Sequence, residues 1–308
     1  MKRPRDEREP PASPFARSLH IGRLRLERRL FMAPMAGITT PAFRRSVRRW
    51  GAGLVFTEMI SAYGLCYGGA RTFAYLECDE DEHPIGFQLF GADADYLARA
   101  AELCAGAGAD LVDLNMACPV RKVLKTAAGA ALLGDHERAE EIVREVVAAV
   151  GPEVPVTVKL RAGLREGDEA GRRLAPRLVA AGAAAVFLHP RTVTQLYRGR
   201  ADHGLTETLA AELPVPVVAS GDVDGRYAVG APWLFREVLG GDPPPPDERF
   251  KEVRRFADDV LRRMGPRGVR HLRQFWPKLR RGGALDRETA EALMRAGDEA
   301  AVRALLGA

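Results

Sequence analysis

Seven short apolar runs, separated by amphipathic stretches, constrain this 308-residue chain more than any other feature. They lie at 30–34, 53–57, 84–88, 111–115, 156–160, 185–189 and 215–220. Each has strand length, and the segments between them carry helical periodicity. The clearest helix is 135–150, where Asp135 can cap the start and Ile142, Val143, Val146, Val147 and Val150 share one face. Strand–helix alternation implies a parallel sheet. Seven such units without a long break predict a TIM-type (β/α)8 barrel of the α/β class rather than an open sheet. No Gly-x-Gly-x-x-Gly follows the first run, which argues against a dinucleotide-binding Rossmann domain.

The runs end in polar residues. Gln88, Asn115 and His189 close three of them, Lys159 sits inside a fourth, and Ser220-Gly221-Asp222 closes the last. Each alone could be a satisfied buried polar group. Together they would share the C-terminal rim of a barrel, where such folds place chemistry. Cys118 follows Asn115 on that rim, in Asp113-Leu-Asn-Met-Ala-Cys-Pro119. A lone cysteine usually reads as a small buried apolar residue; these neighbours favour a functional thiol.

Composition sets the remaining bounds. The chain is 46% hydrophobic and 28% charged, ordinary for a globular protein, and has no run long enough to span a bilayer. Cys66, Cys78, Cys104 and Cys118 form no Cys-x-x-Cys pair and no disulfide framework, so a reducing cytoplasm is expected. Residues 1–17 read as a charged, Pro-rich disordered leader, 18–239 as the barrel and 240–246 as a stiff Pro-rich linker. Residues 247–308 read as a small helical domain, with helices at 247–264, 267–280 and 286–306. Charge is concentrated there: 249–281 holds twelve Lys/Arg against three Asp/Glu, while the whole chain is +5. A basic segment on a mildly acidic body suggests a polyanionic partner, and a solvated arginine-rich helix face explains the composition equally well.

In this setting the chain resembles the tRNA-dihydrouridine synthases. The likeness runs from Phe31 to about Trp276. It is carried by Met32-Ala-Pro-Met-Ala-Gly-Ile-Thr39, Thr57-Glu-Met59, Gln88-Leu-Phe-Gly91 and Leu114-Asn-Met-Ala-Cys-Pro-Val120 with Lys122 and Lys125. It continues through Lys159, His189-Pro-Arg-Thr192, Gly221-Asp222 and Pro232-Trp-Leu-Phe235 to Arg270-His-Leu-Arg-Gln-Phe-Trp276 in the tail. The resemblance implies a barrel enzyme that binds FMN, takes electrons from NADPH and reduces the 5,6 double bond of uridines in tRNA. It implies Pro34, Met35, Gln88, Lys159 and His189 as FMN residues, with Gly221, Asp222, Gly225 and Arg226 near the FMN phosphate. It places Asn115 beside base and flavin, makes Cys118 the proton donor, and puts Lys122, Lys125, Arg191, Arg270 and Arg273 on the tRNA side. The chemistry agrees. Reducing uracil needs a hydride at C6 and a proton at C5, and a free thiol, with a pKa of about 8.5, carries a proton at neutral pH. Lysine can stabilise negative charge on a reduced flavin, and carboxamides can meet ring carbonyls and N–H groups. Nothing in the sequence implies a membrane or a protein partner.

Two features depart from the family. Ala117 precedes the cysteine where glycine is more usual, and only five residues separate Ala219 from Gly225. A strand–helix–strand crossover needs at least about 10–12 residues, so helix seven and strand eight of the barrel cannot both be present. Residues 226–229 are the expected substitute strand, and weakened FMN binding the expected consequence. A non-catalytic RNA-binding relative is therefore the alternative function. A free-pyrimidine dehydrogenase or a Schiff-base aldolase using Lys159 leaves the basic tail without a role.

Overall fold

A computed structural model describes residues 13–222 and 228–307. An antiparallel hairpin, β1 (Leu19–Ile21) and β2 (Leu24–Leu26), comes first, followed by α1 (Pro41–Arg49), β3 (Val55–Phe56), β4 (Ile60–Ser61), α2 (Ala62–Cys66) and α3 (Ala70–Phe73). Then come β5 (Ile85–Phe90), α4 (Ala94–Gly106), β6 (Leu111–Met116), α5 (Arg121–Leu124) and α6 (His136–Val150). The last barrel elements are β7 (Val156–Arg161), α7 (Ala170–Ala180), β8 (Ala185–His189), α8 (His203–Glu212) and β9 (Val217–Ala219). The predicted cap of α6 forms, with Asp135 accepting from the Arg138 N–H, and Ile142, Val143 and Val146 are fully buried.

The sheet is parallel in the order β3-β5-β6-β7-β8-β9, with β4 pairing β5 beside this path. The run at 30–34 contributes only a single bridge, Phe31 to Leu54. Inside the curl, Phe31, Phe56 and Phe187 pack with Leu54, Leu111 and Ala185, and Ile21 and Leu26 of the hairpin join this cluster. Gly22 of the hairpin approaches Pro155 and Ala184, at the starts of β7 and β8, so the hairpin closes the N-terminal end of the barrel.

The sheet does not close among the described residues: β9 is not paired with the segment Leu30–Met32, which bonds to Gly53 and Leu54 beside β3. Among the described residues only the 3-10 residues Ala228 and Val229, and no strand, lie between β9 and α9 (Leu234–Val238). Val217 and Val218 are half-buried and Ala219 exposed, whereas Ala185 to Leu188 of the adjacent strand are buried. Among the described residues the fold is thus a TIM-type barrel without a seventh helix and eighth strand. The expected substitute strand is corrected in part: 226 and 227 fall outside the described residues, while Ala228 and Val229 are buried and 3-10 helical, not a strand. Val229 lies among Phe43, Phe256, Phe275 and Leu279, because these helical side chains offer more apolar contact than the edge of a three-residue strand.

The tail comprises α10 (Pro246–Met264), α11 (Pro266–Leu272), α12 (Trp276–Arg281), α13 (Arg287–Arg295) and α14 (Glu299–Leu305). Two helices expected from the sequence are each broken. Pro277 cannot sit inside a continuous helix, and Asp298 caps a fresh one by accepting from the Ala301 N–H. The tail docks on α1: Phe43 packs against Phe256 and Phe275, and Glu252 accepts from Ser46 Oγ at 2.6 Å and pairs with Arg49. The leader also needs correction. Pro14–Ala16 form a 3-10 turn anchored by Ser13 Oγ donating to the Val238 carbonyl at 2.7 Å; residues 1–12 fall outside the described region. Among the described residues no helix is long and apolar enough to cross a membrane.

Candidate active site

Strand register builds the site as a polar staircase. Gln88, Asp113 and Thr157 stand side by side on β5, β6 and β7. Two residues further on, facing the same side, Asn115 pairs in register with Lys159, and beyond that Arg161 pairs with His189 of β8. Asp113 is buried and accepts from Gln88 Nε2 at 2.6 Å and Thr157 Oγ1 at 2.7 Å. Burial raises its carboxyl pKa, against the pull of these two donors and the Lys159 cation. Lys159 is half-buried, and burial lowers its ammonium pKa while Asp113 opposes that effect. Among the described residues it has one hydrogen bond, to Ser220 Oγ at 3.3 Å, which leaves donors for a further acceptor.

Asn115 acts inward. Its Nδ2 donates to Gln88 Oε1 at 2.9 Å and to Met59 Sδ at 3.1 Å, and its Oδ1 accepts from the N–H groups of Ala117 and Cys118. The amide is fully engaged, and it shapes the turn that carries the thiol. Arg161 secures the same turn: it is buried, and donates to the carbonyls of Ala117, Thr192 and Leu196. Cys118 is 9% exposed and sits with Val123 and Ala128 against Met59, Phe90 and Ala92.

His189 lies above Lys159, and Gly221 packs on its ring; a Cβ at Gly221 would approach the imidazole to 2.8 Å. Gly221 and Asp222 both have positive φ, 89° and 54°. Arg191, expected on the tRNA side, is instead buried. It donates to both Asp222 carboxylate oxygens and to the carbonyls of Arg198 and Gly199, so it ties the loop after β8 to the loop after β9. Lys122 and Lys125 are exposed on and just after α5. Arg270 is exposed, whereas Arg273 is half-buried and donates to the Ala296 carbonyl, holding the end of α13. Pro34 and Met35 are half-buried in the loop before α1. Gly225 and Arg226 fall outside the described residues.

Asp113 and Arg161 were missed as site residues. Their signal is alternation: each lies two positions from a recognised polar residue, hence on the same strand face.

His189 yields a prediction. Burial pushes its pKa down to about 3; the cations of Arg161, Lys159 and Arg191 act in the same direction, and Asp222 opposes them. An unfolded histidine titrates near about 6.5. Between these values the unfolded chain binds a proton that the folded chain refuses, so the site loses stability as pH falls through this window. The urea midpoint of the wild type should therefore drop more steeply between about pH 7 and pH 4 than that of His189→Asn. Parallel profiles would show that His189 titrates normally.

A curled parallel sheet with its polar side chains gathered at the strand C-termini defines a (β/α)-barrel enzyme. The dihydrouridine synthase (Dus) family model matches residues 31–231, and the chain belongs to that family. It is accordingly a flavin-dependent oxidoreductase. Among its relatives, tRNA-dihydrouridine synthase B of Pseudomonas aeruginosa is 36% identical over 239 residues, covering 71% of each chain. A probable tRNA-dihydrouridine synthase 1 of Synechocystis is 40% identical over 230 residues, 74% of this chain and 63% of the relative. Among solved structures, morphinone reductase superposes with a TM-score of 0.55 at 17% identity, over 77% of this chain and 92% of that one. A 2-naphthoyl-CoA reductase complex does so with 0.58 at 12%, over 74% and 52%. At these identities the likeness speaks to the fold.

Proposed function

We propose that the chain reduces uridines of tRNA to 5,6-dihydrouridine, using FMN and NADPH, with Cys118 as the proton donor. One observation carries this reading: Gln88, Lys159 and His189 converge on the rim beside a turn that Asn115 and Arg161 build around a thiol. The relatives named tRNA-dihydrouridine synthase support the substrate.

The donor set fits a flavin ring. A carboxamide, an ammonium with unused donors and a neutral imidazole match its carbonyl and nitrogen edge. Pro34, Met35, Gln88, Lys159 and His189 would hold the ring end, with Gly221 and Asp222 toward the phosphate. Reduced FMN, when bound, supplies the hydride for uracil C6. Cys118 gives its thiol proton to C5 and regains one from solvent. The Lys159 cation favours an anionic ring edge, and its burial strengthens that effect. Asn115 and Arg161 act on the cysteine through backbone atoms and so position it.

Tail residues supply electrostatic attraction. Arg254, Arg255, Arg267 and Arg270 have no ion pair among the described residues, whereas Arg263 and Arg303 pair with Asp79 and Asp258. Reversing charge at Arg267 and Arg270 should weaken tRNA binding and reduce the slope of log affinity against log salt by about 1 to 2, one released counterion per lost phosphate contact. An unchanged slope would make the tail a solvated surface. The direct test of the function is incubation of FMN-loaded protein with unmodified tRNA and NADPH, followed by nucleoside analysis. Dihydrouridine should appear in step with NADPH oxidation, and its absence would reject the reading.

A further inference from the structure

The family reading gives no role to a group of tyrosines just after the C-terminal ends of β4 and β5. Tyr63 lies on α2 and Tyr67 caps its end; Tyr96 lies in the first turn of α4. The Tyr63 and Tyr67 rings are 4.3 Å apart and inclined by 34°, and Tyr96 meets them at 5.5 and 5.7 Å. The hydroxyls of Tyr67 and Tyr96 share a hydrogen bond of 2.8 Å. Tyr63 is 58% exposed and Tyr67 63%, so these rings present open faces instead of filling a core.

We propose that Tyr63, Tyr67 and Tyr96 form a stacking platform for unpaired nucleobases of the RNA substrate; the proposal rests on the tRNA reading above. Four observations converge. The cluster stands on the catalytic rim: α2 follows β4 directly, α4 follows β5, and Ser61 pairs in register with Phe90, a residue packed against the Cys118 cluster. Exposed aromatic faces gathered in one patch are unusual unless they serve binding, and stacking on such faces is how proteins take up unstacked bases. The platform is preorganised, because the shared hydrogen bond and ring contacts already fix Tyr67 and Tyr96. Finally, several cations flank the patch, alongside the exposed carboxylates of Asp93 and Asp95 next to Tyr96. Val123 of α5 packs beside Met59, Phe90 and Ala92, and Arg121, Lys122 and Lys125 around it are exposed, with no ion pair among the described residues. Arg99 follows Tyr96 by three positions on α4, close enough for its charge to act on the Tyr67 phenol. Cations for phosphates beside open aromatic faces for bases suit a single strand better than an apolar protein surface.

The test is equilibrium binding by the full-length protein to a tRNA transcript, an unpaired oligoribonucleotide and a blunt RNA duplex, each across a salt series. Tyr67→Ala should weaken binding to the unpaired RNA roughly 5- to 150-fold, the range for loss of one stacked base. The duplex should be little affected and the salt slope unchanged, since stacking releases no counterions. Tyr67→Phe keeps the ring but loses the shared hydrogen bond, so it should retain most of the wild-type affinity; Tyr67→Leu keeps bulk without the ring and should resemble Tyr67→Ala. If alanine loses fold stability, the Phe and Leu variants decide. Wild-type affinity in both Tyr67→Leu and Tyr67→Ala, or equal losses on duplex and single strand, overturns the platform and leaves the tRNA reading intact; the face would then belong to a protein partner. A wild type that binds none of the three RNAs overturns both.

Discussion

Replacing Cys118 with alanine is expected to slow uridine reduction by about 10²-fold or more, the usual scale for loss of a positioned general acid, while flavin reduction by NADPH proceeds at the wild-type rate. The structure makes this substitution informative. The turn around Cys118 is held through backbone groups: the Ala117 and Cys118 N–H groups on Asn115, the Ala117 carbonyl on Arg161 and the Cys118 carbonyl on the Ala130 N–H. These bonds do not involve the sulfur, so alanine keeps the geometry and removes the proton. Asn115→Ala should act differently. It frees the turn and strips Gln88 of its Nδ2 donor, so it should impair both half-reactions. Single-turnover measurement of each half-reaction separates the two. Wild-type uridine reduction by Cys118→Ala would remove the thiol from the mechanism.

The rim was legible because polar side chains ending apolar runs stand out against their neighbours. Gln88, Asn115, Lys159 and His189 could be singled out that way, and strand register brings them onto adjacent strands. What each polar atom does was not legible. Asn115 could be placed near the chemistry, but that its amide is saturated by Gln88, Met59 and two backbone N–H groups depends on register and loop path. Arginines misled most. On composition an arginine reads as surface, yet Arg161 and Arg191 are each 2% exposed and tie loops together through backbone carbonyls and a carboxylate. The hairpin at 19–26 was missed because its strands have three residues each, too few to show alternation. The missing barrel unit was legible for a simpler reason: chain length sets a hard limit on what can cross a sheet.

Inserting a helix–strand unit of about 20 residues between Asp222 and Ala228 is expected to raise FMN retention and thermal stability together. Among the described residues β9 and the segment Leu30–Met32, which bonds beside β3, are not paired with each other, and β9 leaves Val217 and Val218 half-buried. A strand seated there would satisfy two rows of backbone groups and cover apolar surface, both stabilising. It would also restore the loops that commonly hold phosphate in this fold. Each charge-assisted hydrogen bond to a phosphate contributes about 1.5–3 kcal/mol, so even one should tighten FMN by about tenfold to a hundredfold. Riboflavin, which lacks the phosphate, isolates this effect. The natural chain should bind riboflavin and FMN with similar affinity through the ring contacts of Gln88, Lys159 and His189, and the insertion should favour FMN alone. If the natural chain retains FMN through purification and prefers it strongly over riboflavin, then Gly221, Asp222 and the residues leading to Ala228 hold the phosphate without the missing unit. If neither form binds either flavin, the ring site is not functional, and the chain is an RNA-binding member of its family that has lost its cofactor.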